Sequence, residues 1–523
     1  MHIPSGIYHW QHGDFTPYQV NPPLIRVLSA VPLLFQGIQL PHQGTTVARL
    51  EVKLAEAWIE QYGEETVHQT FLARLFVIPF AVLGTLLTYR IASSFLSGCW
   101  PLVPALLWAF SPTVLTYGCL ATPDVASAFS LLLVCWRYYC WARAPTTDTS
   151  LAFGMAMGLA LLVKSTWIML LPLFFVILLL RVVLRRTHLV HVFSYSLSCV
   201  LALGILASGY FFEGMFVPLG EHEFKSSALA VQDGSSFQNR FEGTLLGGIP
   251  VPLPENYVLG IDRQKREFEE GRKCYLLGRW YGSGKWYYYC IAAIVKEPVA
   301  LWILAAVAIG SIALRSPSFD FLLIASIGVP ALALFLLASG QTGIHRHYRY
   351  VLPILPCLFF LIAYGCSLAP RCFRGGTSVL VCAYITASVA TVPRTHAFFS
   401  EAVGGASNGW KYLGGSNLDW GQDLRLIRNY ETSSESTQTL YAVCGTRWSL
   451  RSLGFRSESR QNFFLTSGIN EAEERLPIAT GAYLLTPTEY VREEFVYFQS
   501  RVPDRVLDGG MRLYLENIPK TNE

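Results

Sequence analysis

Charge is scarce in this chain. Asp, Glu, Lys and Arg make up 15% of 523 residues while hydrophobic residues reach 52%, against roughly 25% charged in soluble globular proteins. The net charge is only +4, and the basic residues sit in short loops rather than in one patch, which argues against a nucleic-acid partner. No Cys-x-x-Cys occurs. The 12 cysteines are scattered, mostly inside apolar runs (Cys119, Cys135, Cys199, Cys357, Cys366, Cys382), and read as small side chains of a membrane core. No ligand-like spacing points to a metal, and metal use stays open. An internal repeat is also lacking, which weakens a transporter built from duplicated halves.

What the chain has in quantity is long apolar runs. A bilayer needs about 20 apolar residues per helix, and about ten segments qualify: 71–90, 99–117, 125–141, 151–163, 166–181, 190–212, 291–314, 321–338, 350–368 and 379–393. The fourth and fifth are short, meet at Lys164, and read as two spans or as one bent hairpin. Arg90, Arg137, Arg143, Arg181, Arg185, Arg186, Arg315, Arg371 and Arg374 fall at alternate ends of these spans. Taking those ends as cytoplasmic satisfies the positive-inside rule and predicts a multi-pass protein of the plasma (inner) membrane.

The far side then receives residues 1–70, the 120–124 turn, the long 213–289 loop, the 340–349 loop and the tail. Residues 51–62 carry an apolar stripe at Val52, Leu54, Ala55, Trp58 and Ile59, suited to a helix lying along the interface. The 213–289 loop is too long for an incidental connector. From residue 396 onward strand-like runs (439–444, 481–485, 511–515) alternate with helix-like ones (423–430, 470–476). The predicted organisation is a first outer loop over 1–70, a membrane domain over 71–395, and a small α/β domain over 396–523, outside the cytoplasm.

Several residues are placed where chemistry would need them. Asp124 opens a span after Thr122-Pro123. It reads either as an ordinary helix N-cap favoured by the dipole or as a carboxylate held at the membrane surface for function. Lys164, between two apolar runs, is a snorkelling lysine or a cation for a phosphate. Trp280, Tyr281, Trp286, Tyr287, Tyr288 and Tyr289 form an interfacial belt that could also stack on a sugar. Lys296 can pair with Glu297 or with a phosphate. His345, Arg346, His347 and Arg349, followed by Tyr350, crowd an outer loop. Outer loops usually lack Arg, and its fork suits bidentate phosphate recognition.

Ordered strings extend along most of the length. They include Ser5-Gly6 with Tyr8, Trp10 and Gly13, then Asn21-Pro22-Pro23-Leu24, and 106–112 followed by 120–124. Residues 158–164 with Leu170-Leu171-Pro172, Pro252-Leu253-Pro254, Gly260-Ile261-Asp262, 275–278 and 284–288 come next. Lys296-Glu297-Pro298, 349–353 and the run Ser416-Asn417-Leu418-Asp419-Trp420-Gly421-Gln422-Asp423 complete the order. In this order they resemble the GT-C superfamily of membrane glycosyltransferases, close to the bacterial relatives of protein O-mannosyltransferases.

The resemblance implies inverting transfer of a hexose-type sugar from a polyprenyl-phosphate donor to an acceptor outside the cytoplasm. It maps Asp124 onto a second acidic site. Lys164, Lys296 and Arg349 are candidate phosphate contacts, with Trp286, His345, Arg346 and Tyr350 as further substrate-binding candidates. No cofactor is implied beyond the lipid-linked sugar; a divalent metal stays open. The partners implied are the polyprenyl-phosphate sugar, membrane lipids and an unidentified acceptor. The family's first-loop acidic pair precedes a His step that falls at His2, so the pair and its membrane helix are expected just before Met1. A catalytically inactive lipid-phosphate-sugar binder and a polytopic lipid or sugar transporter are the alternative classes.

Overall fold

The computed structural model describes residues 1–42, 49–234, 236–315, 317, 320–341, 343, 345–433, 438–444, 450–459, 464–467, 474–477, 480–507 and 510–516. Among them six helices are long and apolar enough to cross a bilayer: Glu65–Ala92, Asp124–Arg143, Ser165–Val183, Val190–Ser208, Phe321–Gly340 and Tyr348–Leu368. A seventh is counted if Tyr288–Lys296 and Val299–Arg315, bent by 113° at their junction, form one span. The chain is a multi-pass helical membrane protein.

Of the ten or so spans expected, six or seven are met by length and composition among the described residues, and the backbone explains why the other runs fall short. The 99–117 run splits into Leu102–Ala109 and Pro112–Tyr117. Pro112 sits where a helix begins, because proline lacks the N–H that a continuing helix would need. The Ser111 side chain accepts from Val114 N–H and starts the second piece. The helix Thr147–Val163 has 17 residues and falls short. Arg371–Val389 is helical but opens on Arg371 and Arg374. The 291–314 run turns at Glu297-Pro298 for the same reason as at Pro112.

These breaks matter because they put polar side chains in the protein interior between apolar helices. Lys164 has an extended backbone (φ −150°, ψ 127°), ending Thr147–Val163 and starting Ser165–Met169. Two helices thus meet at one residue. The Glu297-Pro298 bend does the same for Lys296 and Glu297.

The N-terminal stretch packs as protein rather than along a lipid surface. Helix His2–His12 lies against Leu24–Leu34 so closely that a Cβ on Gly6 would stand 2.0 Å from the Arg26 carbonyl oxygen. The stripe expected to face the interface is turned inward. Leu50 and Leu54 of Leu50–Tyr62 pack with Tyr8, and Trp58 joins Ile3, Ile7, Ala30, Leu33 and Ala73. The apolar pattern was the same for both destinations.

The 213–289 segment holds the hairpin Ala230–Asp233/Ser236–Asn239, the helix Glu255–Glu270 and the hairpin Cys274–Leu276/Arg279–Tyr281. Asp262 accepts from the backbone N–H groups of Lys225 and Ser226 at 2.6 and 3.1 Å, tying the loop to that helix. Leu276 bridges to Leu413, so the loop also touches the C-terminal part.

That part carries a five-stranded sheet in the order Arg505–Leu507, Met511–Glu516, Gly481–Leu485, Leu440–Val443, Glu458–Ser459. The first two pairings are antiparallel and the last two parallel. Helix Leu424–Thr432 lays Ile427 and Tyr430 on it, against Leu440, Ala442, Leu484 and Leu513. One expected helix is corrected: Glu474–Pro477 is a strand paired with Phe464–Ser467, and residues 470–473 of that expectation lie outside the described residues.

Within the membrane domain, Gly365 meets Ala308 of a neighbouring helix so closely that a Cβ would stand 2.5 Å from the Ala308 carbonyl oxygen. Small residues let helices approach where lipid offers no hydrophobic gain. Gly365→Leu should destabilise the bundle by about 1–3 kcal/mol, read as a lower melting temperature in detergent. Unchanged melting would contradict this contact.

Candidate functional site

The site is assembled from three helix starts and one loop of the C-terminal part. Asp124 is the first residue of Asp124–Arg143 and is 4% exposed. Its carboxylate accepts from Thr122 Oγ1 at 2.9 Å and stands 3.6 Å from Arg349 Nε, a charge contact rather than a hydrogen bond. Its side chain does not cap its own helix, whose N-cap residue is Pro123, so the capping reading is corrected, and the carboxylate is turned to Arg349 instead.

Arg349, at the beginning of Tyr348–Leu368, is the centre of the cluster. Its guanidinium carbon lies 4.0 Å from the centroid of the Trp420 ring, 5.5 Å from Tyr350 and 6.0 Å from Tyr117. Its Nε and Nη1 carry no hydrogen bond. Lys164 Nζ sits 5.3 Å from the Tyr350 ring. Two buried cations therefore face one buried carboxylate. Buried charge without full pairing is costly, and an anion between Arg349 and Lys164 would correct the imbalance.

Other sequence candidates go elsewhere. Lys296 Nζ donates to the His396 and Asn417 carbonyl oxygens, both at 3.0 Å. Glu297 Oε1 accepts from Thr113 Oγ1 at 2.9 Å and from the Tyr348 hydroxyl at 3.1 Å. Arg346 Nε donates to the Lys273 carbonyl at 2.8 Å. The His345 ring bonds the Ala338 carbonyl at 2.8 Å and stacks on Tyr288. Trp286 is 69% exposed and meets Tyr287 edge-on, so the geometry does not bring it into the cluster. Of the sequence candidates, Asp124, Lys164, Arg349 and Tyr350 converge.

No spatial role for Trp420, Asn417, Tyr117 or His396 is visible from the sequence alone. His396 bonds the Ser416 carbonyl at 2.7 Å and its ring approaches Tyr117 and Trp420. Burial, with Lys296 nearby, pushes its imidazole down to about 3, so it is neutral. A water-sized cavity of about 10 Å³ opens among Thr113, Thr116, Tyr117, Lys296, Tyr348 and His396. The run 416–423 was visible as a string, but nothing local says that it folds onto Arg349.

Behind Trp420 lie two buried carboxyls. Asp419 Oδ1 accepts from Gly421 N–H at 2.8 Å, and Asp423 Oδ1 is 3.6 Å from Arg394 Nη2. Burial pushes both carboxyls up, and the Asp419 charge adds to the rise at Asp423 against the pull of Arg394. Two such groups titrate as a pair. Among the described residues no group of three or more His, Cys, Asp or Glu side chains could hold a metal ion.

A carboxyl that keeps its proton in the fold, but ionises freely in the unfolded chain, weakens the fold as pH rises above about 4. Seating of the C-terminal domain should therefore loosen from acid toward neutral and alkaline pH. Asp423→Asn should flatten that slope in a melting-temperature series against pH. An unchanged slope would contradict a protonated pair.

Residues 57–210 match the family model described as dolichyl-phosphate-mannose-protein mannosyltransferase. The resemblance to GT-C membrane glycosyltransferases read from the motifs is thus carried by a family model over that segment. No curated protein matches the chain. Similar solved structures include the crystal structure of ArnT from Cupriavidus metallidurans in the apo state, at 15% identity and a TM-score of 0.42, over 75% of this chain and 60% of that one. The structure of ArnT bound to undecaprenyl phosphate aligns at 14% identity and a TM-score of 0.39, over 98% of this chain and 92% of that one. The first match thus spans about three-fifths of its relative's length.

Proposed function

We propose that the protein transfers a hexose-type sugar from a polyprenyl-phosphate donor to an acceptor hydroxyl, at a site facing the outside of the plasma membrane. The observation that carries this reading is the buried Arg349 with two unbonded nitrogens, beside Lys164 and Asp124, beneath an aromatic ring of the outer domain. Guanidinium and ammonium groups suit a phosphate, and Trp420, 38% exposed, offers a flat apolar face on which a sugar can stack. The family model over 57–210 supports the same class. Arginines at alternate span ends support an outer C-terminal domain.

In the inverting step the acceptor oxygen bonds to the anomeric carbon from the face opposite the phosphate. The bond from that carbon to the phosphate oxygen breaks, and the lipid phosphate departs with the electron pair. Arg349 and Lys164 stabilise the charge that develops there. Asp124 takes the hydroxyl proton, for which it must come within hydrogen-bond reach of the acceptor. Asp124 already leans on Arg349 and Thr122, and this favours one second reading, a binding relative that holds the lipid phosphate without turnover.

The test is release of polyprenyl phosphate from a labelled polyprenyl-phosphate hexose by the purified protein in liposomes. Arg349→Ala should lower turnover by about 10²–10³-fold, and Asp124→Asn by a similar factor. Binding that depends on Arg349 while Asp124→Asn changes nothing would establish the non-catalytic reading instead.

A further inference from the structure

Asn417 occupies an unusual place in this arrangement. It is 1% exposed, and both ends of its side-chain amide are engaged. Oδ1 accepts from Tyr348 N–H at 2.9 Å. Nδ2 donates to the Arg346 carbonyl at 2.7 Å and the Gly414 carbonyl at 2.9 Å, and lies 2.9 Å from the Tyr288 hydroxyl. Its own backbone carbonyl receives Lys296 Nζ at 3.0 Å.

Tyr348 immediately precedes Arg349, and Trp420 follows Asn417 by three positions. One buried amide therefore touches the backbone on both sides of the Arg349–Trp420 stack. It meets the start of the helix that carries the cation and belongs to the loop that carries the ring. Lys296 secures the same loop from below, gripping it through Asn417 and through the segment at His396, whose imidazole is itself tied to Ser416. An ammonium so engaged with two carbonyls, and 4.3 Å from the Phe399 ring, is occupied by the protein.

We propose that Asn417, held by Lys296, is a positioning residue that sets Trp420 over Arg349, so that the outer domain completes the phosphate site of the membrane domain. The inference rests on the reading of Arg349 as the phosphate contact. It gives Lys296 a different task from the direct phosphate contact that the sequence suggests, and the two tasks respond differently to substitution. Arginine in place of Lys296 keeps donors for two carbonyls, whereas methionine keeps only the chain.

The experiment measures binding of polyprenyl monophosphate to the full-length protein in detergent, with melting temperature as the check on folding. Asn417→Ala and Trp420→Ala should each weaken binding by about tenfold. The double variant should be no weaker than the worse single one, because both act through the same stacked arginine. Lys296→Met should behave like Asn417→Ala, and Lys296→Arg should retain wild-type affinity. Losses that add in the double variant, or a Lys296→Arg variant as weak as Lys296→Met, overturn the proposal. If Asn417→Ala does not fold, the Lys296→Met/Trp420→Ala pair decides by the same criterion. Binding that Arg349→Ala leaves intact would instead remove the phosphate assignment itself, a different and recognisable failure.

Discussion

A guanidinium held out of water must find partners, and Arg349 has fewer than it needs. Asp124 offers a charge contact at 3.6 Å and Trp420 a ring face at 4.0 Å, while two nitrogens keep unbonded hydrogens. Much else in the structure serves to maintain this deficit rather than relieve it. Glu297, the nearest buried carboxylate in sequence to the Lys296 bend, is engaged by Thr113 and Tyr348. Lys164 adds a second cation where a second anion would have neutralised the first. A low-dielectric site with surplus positive charge is preorganised for an anionic ligand, because no reorganisation is needed when the ligand's charge arrives.

The membrane domain reaches this state through broken helices. An unbroken apolar span has no means of placing a lysine or a carboxylate at depth without exposing it to lipid. Interruptions at Pro112, Lys164 and Pro298 release backbone groups and point side chains into the protein, where irregular backbone is tolerated. The C-terminal part then closes the arrangement with carbonyl oxygens and an indole ring. Neither part contains the whole site.

The sequence made the chemistry legible but not its convergence. Asp124 and Lys164 stood out because charge is scarce beside apolar runs, Arg349 because outer loops usually lack Arg, and Tyr350 as its neighbour, and these four do assemble. Lys296 stood out as Lys164 did, yet a lysine at a Glu-Pro bend looks identical whether its ammonium meets a phosphate or two carbonyls. His345 and Arg346 are likewise absorbed by backbone oxygens. Trp420 and Asn417 act across long sequence separations that no periodicity reports. At the level of fold, the α/β character of the tail was readable from alternation, while ten apolar runs hold six or seven helices long and apolar enough to span, because composition registers neither a break at a proline, as at Pro112, nor a helix that stops short, as at Val163. The stripe on Leu50–Tyr62 was read correctly as a helix and assigned to lipid, since a buried and an interfacial stripe share one pattern.

The central claim, that Arg349 between Asp124 and Trp420 is where a lipid phosphate binds, is tested most directly by an experimental structure of the protein with polyprenyl monophosphate in nanodiscs. The account predicts phosphate density within hydrogen-bond distance of the Arg349 guanidinium, with Lys164 turned toward it and Trp420 retained on the other face. Phosphate density at the His345–Arg346 loop, with the Arg349 nitrogens still bare, would contradict it.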